Sequence, residues 1–272
     1  MLYLLSPAKR LDYETPVPAP LAAMATEPLF AHRAADLISV LKKKRPSQVA
    51  ALMDLSKELA ALNVARYAAW QPEATPANSR PALLAFAGDV YAGLRPGTLD
   101  AGDFAWAQQH LVLLSGLYGV LRPLDRLQPY RLEMGTALKT RGGKDLYAWW
   151  GDTIAAHLNE RLAGETAPVV VNLASIEYAR AALRPALRAR VVDCVFEDWK
   201  DDRYKIISFF AKRARGLMAR WAIERRVVVP DSLGEFSAEG YVLAEQASSA
   251  DRLVFRRRVD PGLAQSGDPQ DS

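Results

Sequence analysis

Pro168-Val-Val-Val-Asn-Leu173 carries no charge, and three consecutive β-branched residues follow its proline. A run this short suits a strand better than a helix, and unbroken apolar character places it inside a sheet covered on both faces. The chain around it repeats the theme. Residues 145–162 read as a helix carrying Trp149, Ile154 and Leu158, while 191–196 and 204–210 read as two further strands. Residues 2–5 form a short apolar first strand. Helices are expected over 29–44, over 46–55 with Ser47 as a cap, and over 56–70. Residues 15–20 are proline-rich and extended. Residues 82–86 read as a buried strand that runs into Gly88-Asp-Val-Tyr91. Residues 103–113 read as a helix, although 112–114 reads equally well as a strand.

Alternation of strands and helices points to an α/β protein, with mixed α+β open: one domain over residues 1–260, its mixed sheet flanked by helices. Only residues 261–272 have the composition of a disordered tail. With 272 residues, half of them apolar, the chain can bury a sizeable core without disulfides or a structural metal. The lone Cys194 lies in an apolar run and reads as a small buried hydrophobe, which suits a reducing compartment. The opening Met1-Leu-Tyr-Leu-Leu lacks the basic start and long apolar stretch of a signal peptide. No run approaches the length of a membrane span, so neither a membrane partner nor export is expected.

Net charge is only +4, but its distribution is uneven. Between residues 205 and 226 stand Lys205, Lys212, Arg213, Arg215, Arg220, Arg225 and Arg226, with Glu224 the single acid. On a helix over 209–226, Lys212, Arg213, Arg215, Arg220 and Arg226 fall on one side. Phe210, Ala214, Leu217, Met218 and Trp221 fall on the other, with Ile223 and Arg225 out of place. Docking the apolar side presents the cations together, the footprint of a phosphate-contacting surface. The bland reading is a solvated face paired with acids from elsewhere.

Two glycines three apart, Gly116 and Gly119, sit among aliphatics in Leu114-Ser-Gly-Leu-Tyr-Gly-Val-Leu121, followed by Arg122. They suit a tight turn with open amides, loosely like the hairpin of helix-hairpin-helix DNA-binding elements. A purely structural turn fits equally well. Polar residues also gather where apolar strands end: Ser6 and Lys9, then Asn172 and Ser175 with Glu177 and Tyr178. Arg122, Asp125, Tyr130, Arg131 and Glu133 crowd the segment after the glycine turn, and Glu239 and Tyr241 lie near the end. Sites in α/β folds collect beyond the carboxyl ends of strands, so a shared polar cleft is expected; caps and salt bridges are the alternative.

His32, His110 and His157 are scattered without metal-ligand spacing. The chain has no phosphate-binding P-loop, dinucleotide fingerprint or nucleophile elbow. No metal and no cofactor are expected, and a triad or metal enzyme is disfavoured.

Read as blocks, the chain resembles a known family. The resemblance rests on Leu5-Ser-Pro-Ala-Lys9 with Leu11-Asp-Tyr13, Gly88-Asp-Val-Tyr91, Gln108-Gln-His-Leu111 and Leu114 through Asp125. It continues through Gln128-Pro-Tyr-Arg-Leu-Glu-Met-Gly135, Gly143-Lys-Asp-Leu-Tyr147, Trp150-Gly-Asp152 and Asn172-Leu-Ala-Ser175. The last blocks are Lys205-Ile-Ile-Ser208, Ala211-Lys-Arg-Ala-Arg-Gly216 and Glu239-Gly-Tyr241. These blocks resemble the YaaA family of peroxide-stress proteins, and the resemblance implies a cytoplasmic protein that limits hydrogen-peroxide damage by keeping free iron low. It also implies one compact domain of unusual topology and a basic cleft with a helix-hairpin-helix-like element that binds duplex or branched DNA. Carried onto this chain, Lys205, Lys212, Arg213, Arg215 and Arg220 become phosphate contacts, with Gly116, Gly119 and Arg122 at the hairpin. Arg10, the acidic turn at 198–202 and the longer tail depart from the family pattern. The alternative is an enzyme acting on a nucleotide, nucleobase or other phosphorylated small molecule around Ser6, Lys9, Asn172, Ser175 and Lys205. Direct iron binding by Glu133, Glu177 and Glu239 has no supporting spacing. The oligomeric state is not legible in one chain.

Overall fold

The computed structural model describes residues 1–258; the segment expected to be a tail lies outside them. The strands are β1 (Leu2–Leu5), β2 (Arg10–Leu11), β3 (Arg80–Pro81), β4 (Phe86–Ala87), β5 (Leu111–Ser115) and β6 (Gly119–Leu121). They continue as β7 (Arg126–Leu127), β8 (Val169–Leu173), β9 (Arg190–Lys200), β10 (Arg203–Lys205), β11 (Val242–Leu243) and β12 (Arg252–Arg257). The helices are α1 (Ala19–Ala23), α2 (Ala31–Leu41), α3 (Pro46–Met53), α4 (Lys57–Ala69), α5 (Ala82–Ala85) and α6 (Asp89–Leu94). They continue as α7 (Ala101–His110), α8 (Leu146–Trp150), α9 (Thr153–Arg161), α10 (Ile176–Ala182) and α11 (Ser208–Arg225).

The architecture is mixed α/β, built on an eight-stranded sheet of order β11-β12-β9-β8-β1-β5-β6, with β10 paired to β9. Strands β12, β9, β8, β1 and β5 run parallel, and antiparallel β6 and β11 close the two edges. Every residue of β1 is buried, as are four of five in β8, because helices cover both faces where these strands lie. By contrast β9 alternates buried and half-exposed positions along its 11 residues. Cys194 is buried in β9, where desolvation pushes its thiol pKa up to about 12, so it is inert packing. One contiguous apolar core joins the sheet to α2, α4, α5, α7 and α11.

Several elements differ from expectation. Residues 82–85 are helix α5, wholly buried, and only Phe86–Ala87 extends. A run apolar on every side carries no periodicity, and Ala-Leu-Leu-Ala after Pro81 favours a helical turn. The long helix expected over 145–162 is two helices, α8 and α9, separated by Gly151 with φ 49°. The strand expected over 204–210 stops at Lys205, and α11 starts at Ser208, leaving Ile206 and Phe209 exposed. Of the two readings of 103–113, α7 ends at His110 and Leu111–Ser115 is strand β5. Gly116 and Gly119 turn a β-hairpin between β5 and β6, and the whole turn is buried. A Cβ on Gly116 would meet the Leu132 carbonyl, and one on Gly119 would lie 2.7 Å from the Trp150 ring. The amides of this turn are therefore covered rather than offered to a phosphate.

Helix α11 is held across α6 by glycine on both sides. A side chain on Gly216 would strike the Val90 carbonyl, and one on Gly93 would strike the Arg213 carbonyl. Backbone-to-backbone approach of this kind is available only without a Cβ. It brings the Gly88–Tyr91 segment beside the ends of β1 and β8.

Candidate functional site

A cleft of about 590 Å³ opens beyond the carboxyl ends of β1 and β8. These strands are parallel neighbours with Leu5 opposite Leu173, so the residues that follow each strand emerge side by side. Ser175 donates its amide to Ser6 Oγ at 2.8 Å, and the two hydroxyls lie 3.3 Å apart. Asn172 shapes this junction without lining the cleft. Its Oδ1 accepts from the Ala174 amide at 3.0 Å, and its Nδ2 donates to Asp193 Oδ1 at 2.7 Å. Tyr91 on α6 donates to the Ser6 carbonyl at 3.1 Å and ties that helix to the wall.

Tyr91, Tyr130 and Tyr178 line the cleft, and burial raises the pKa of each phenol, keeping them neutral. Tyr130 shares a 2.6 Å hydrogen bond with Ser115 at the end of β5. Two of the cleft carboxylates are already engaged. Glu133 Oε1 accepts from Arg131 Nε at 3.0 Å and Nη2 at 2.8 Å, and its Oε2 faces Lys9 Nζ at 3.1 Å. Glu177 Oε1 accepts from the Gly135 amide at 2.8 Å.

Five cations (Lys9, Arg10, Arg131, Lys212 and Arg215) line the cleft with three carboxylates (Asp89, Glu133 and Glu177). Lys9 and Arg131 are held by Glu133, and Lys212 lies 3.9 Å from Asp89. Arg215 differs from these. It projects from α11, is largely withdrawn from water, and makes no hydrogen bond or ion pair among the described residues; its Nε is fully shielded. Burial lowers its pKa, with the Cys194 thiol opposing weakly. An unpaired guanidinium in such surroundings is costly unless an anion joins it.

Of the residues expected to share a site, the cleft thus unites Ser6, Lys9, Tyr130, Arg131, Glu133, Ser175, Glu177 and Tyr178 with Lys212 and Arg215. The rest lie elsewhere. Asp125 accepts from Thr26 Oγ1 at 2.7 Å, from Arg122 Nε at 3.0 Å and from the Arg122 amide at 2.8 Å, bracing the loop before β7. Burial raises its pKa against those bonds. Tyr241 donates to Asp198 Oδ2 at 2.7 Å, and Arg257 Nε holds Asp198 Oδ1 at 2.6 Å.

The cations of residues 205–226 do not stand together unneutralised. Lys205 pairs with Asp201, Arg213 with Glu239, Arg220 with Glu224 at 2.8 Å, and Arg226 with Asp103 at 2.9 Å. Arg220 also donates to the Leu94 carbonyl at 3.0 Å and Thr98 Oγ1 at 2.7 Å, and Arg225 lies over the Trp221 ring. Two of these four carboxylates, Glu239 and Asp103, come from distant parts of the chain.

Sequence reading gave no site role to Arg10, Asp89 or Tyr91, which complete the cleft. The signal was present in Gly88-Asp-Val-Tyr91. Gly88 lets this segment approach the loop after β1, where a Cβ would lie 3.2 Å from Ala8 Cβ.

Fold and site define a class: parallel-sheet α/β proteins with an open polar cleft beyond the strand ends. Within it, the chain belongs to the family of the peroxide stress protein YaaA, whose sequence model matches residues 1–247. A UPF0246 protein of Leptothrix cholodnii is 63% identical over 257 residues, covering 94% of this chain and 98% of that one. A UPF0246 protein of Paracidovorax citrulli is 61% identical over 95% of this chain and 99% of its own length. One from Variovorax paradoxus is 60% identical over 95% and 99%. Among the described residues, no helix is long and apolar enough to cross a membrane, and no three His, Cys, Asp or Glu side chains group as a metal site.

Proposed function

We propose that this peroxide stress family member acts in the cytoplasm by binding a small phosphorylated compound of nucleotide size in the cleft. The carrying observation is Arg215, a cation set in the wall with no ion-pair or hydrogen-bond partner among the described residues. A phosphate would complete it with charge-assisted hydrogen bonds of the kind that arginine makes best. At about 590 Å³ the space falls in the usual range for small-ligand sites. Neutral tyrosines and the Ser6–Ser175 pair supply hydrogen bonds and ring faces for the remainder of the ligand. In this reading, control of free iron follows from the bound compound. Glu133 and Glu177 are already committed to Arg131, Lys9 and the Gly135 amide. The test is calorimetric titration with pyrophosphate and nucleoside monophosphates. Binding that Arg215→Met abolishes supports the reading; binding that survives the substitution removes it.

Backbone contact with duplex or branched DNA is a second reading, supported by a different feature. Between α6 and α7 the turn Arg95–Thr98 is mostly exposed, with open space around Gly97, and Arg220 braces it from behind. Such a helix–turn–helix edge can present an amide and Arg95 to a phosphate. Affinity should then fall steeply with salt. Duplex binding unchanged by Arg95→Glu, and by joint conversion of Lys212, Arg213 and Arg215 to Glu, removes this reading.

A further inference from the structure

Beside the cleft lies a groove of about 580 Å³, lined by Arg10, Leu11, Asp12, Tyr13, Glu14, Arg66, Ala87 and Pro129. Arg10 and Ala87 are paired across β2 and β4 and line both spaces, so the two adjoin along this strip. Arg66, from α4, is half-buried and also borders a smaller recess of about 230 Å³.

The charges around Arg66 leave it unanswered. It makes no hydrogen bond or ion pair among the described residues. Of the charged groups around it, Arg131 is a like charge whose carboxylate partner Glu133 faces the cleft, and the Glu14 carboxylate lines the same groove without coming within ion-pair distance of it. Tyr13 and Tyr67 lie against it, but both donate their hydroxyls to carbonyls, of Leu127 and of Arg131. The Asp12 carboxylate is occupied by the Glu14 and Thr15 amides at 3.0 Å and by Arg80 at 3.8 Å. Exposed Arg10 likewise has no carboxylate within ion-pair distance among the described residues. Burial lowers the Arg66 pKa against the opposing pull of the Tyr13 and Tyr67 phenols, and Arg131 lowers it a little further, so the site gains from an incoming anion.

We propose that the Arg10–Arg66 groove is a second phosphate subsite, and that the ligand is a phosphate ester reaching over the Arg10–Ala87 strip with one phosphate at Arg215 and another at Arg66. The first half stands on the groove alone; the spanning ligand rests on the cleft reading above. Two phosphates joined through a nucleoside occur both in small dinucleotides and along a polynucleotide.

The experiment compares thymidine 5′-monophosphate, 5′-phosphorylated dithymidine and a twelve-residue oligothymidylate by titration calorimetry, with the intact chain and with Arg66→Ala, Arg66→Lys and Arg215→Met. The dinucleotide is expected to bind at least about tenfold tighter than the monophosphate. Arg66→Ala should erase that gain, and Arg66→Lys should keep part of it. Equal affinity of the two ligands, or a gain that persists in Arg66→Ala at an unchanged melting temperature, overturns the second subsite. Monophosphate binding that ignores Arg215→Met defeats the cleft reading but leaves the Arg66 result to be judged on the dinucleotide. An oligonucleotide that gains further and also depends on Arg66 identifies a polynucleotide as the source. One that binds no better than the dinucleotide identifies a small molecule.

Discussion

Arg213 and Glu239 face each other across 26 residues of chain, with Arg213 Nε 2.9 Å from Oε2 and 3.1 Å from Oε1. The side-chain hydrogen bond raises the Arg213 pKa and lowers that of Glu239, so both stay charged. Glu239 holds a left-handed backbone with φ 49°, unusual for a residue with a Cβ. The pair therefore pins the turn before Tyr241 to α11 and cancels a cation that would otherwise face solvent.

Replacing Glu239 with Gln should release that cation. Both side chains are about one-third exposed, so the stability cost should stay below ~1 kcal/mol. Retention on heparin should increase, with elution at higher salt than the parent protein. Unchanged elution would mean that Arg213 is held from solvent by its other bond, to the Ala92 carbonyl at 3.3 Å.

Arg215→Met should make the protein more stable while removing ligand binding. The substitution exchanges a desolvated charge, unpartnered among the described residues, for an apolar chain of similar length that suits the neighbouring core. A gain of about 1–2 kcal/mol by urea denaturation is expected in the absence of ligand. A loss of that size instead would show that the guanidinium is internally compensated, and with it the argument for an anion would go.

The sheet and half the cleft were legible because their signals are local. Three β-branched residues after Pro168 specify a buried strand, and parallel neighbours must deliver Ser6 and Ser175 to the same edge. The wall contributed by Gly88–Tyr91 was not legible in this way. Its position depends on Gly93 and Gly216 meeting across two helices separated by more than a hundred residues. Charge balance failed for the same reason. Asp103 and Glu239 neutralise α11 from outside any window centred on its basic residues. Residues 82–86 failed differently, since complete burial removes the contrast between faces that period-based reading needs.

Gly216→Ala should be among the most damaging small substitutions in the chain. The added methyl points at the Val90 carbonyl and the Leu94 amide nitrogen, both backbone, so no side chain can swing aside. Separating α6 from α11 would loosen the helix that carries Arg215 and the segment that carries Tyr91. A destabilisation of roughly 3 kcal/mol or more is expected in urea titration. Gly97→Ala, where nothing lies within 4 Å, serves as the control and should change little.

Stability should fall on mild acidification, in part through His157. Burial lowers its pKa from 6.5 to about 4, and the nearby Arg161 and Arg122 guanidinium groups push in the same direction. Its ring packs edge-on against Phe30 at 5.9 Å. Between those two pKa values the unfolded chain takes up a proton that the folded chain refuses. The contribution of this histidine is therefore intact above about pH 6.5 and declines as pH drops toward 4. Other groups also contribute to the pH dependence, including Asp125, whose raised pKa acts in the opposite sense, and His110, whose pKa burial lowers. The informative quantity is thus the difference between the parent protein and His157→Gln, which cannot titrate. The variant should lose less stability than the parent between pH 7 and pH 5 in urea denaturation. Parallel losses would show that the imidazole reaches water freely in the folded state.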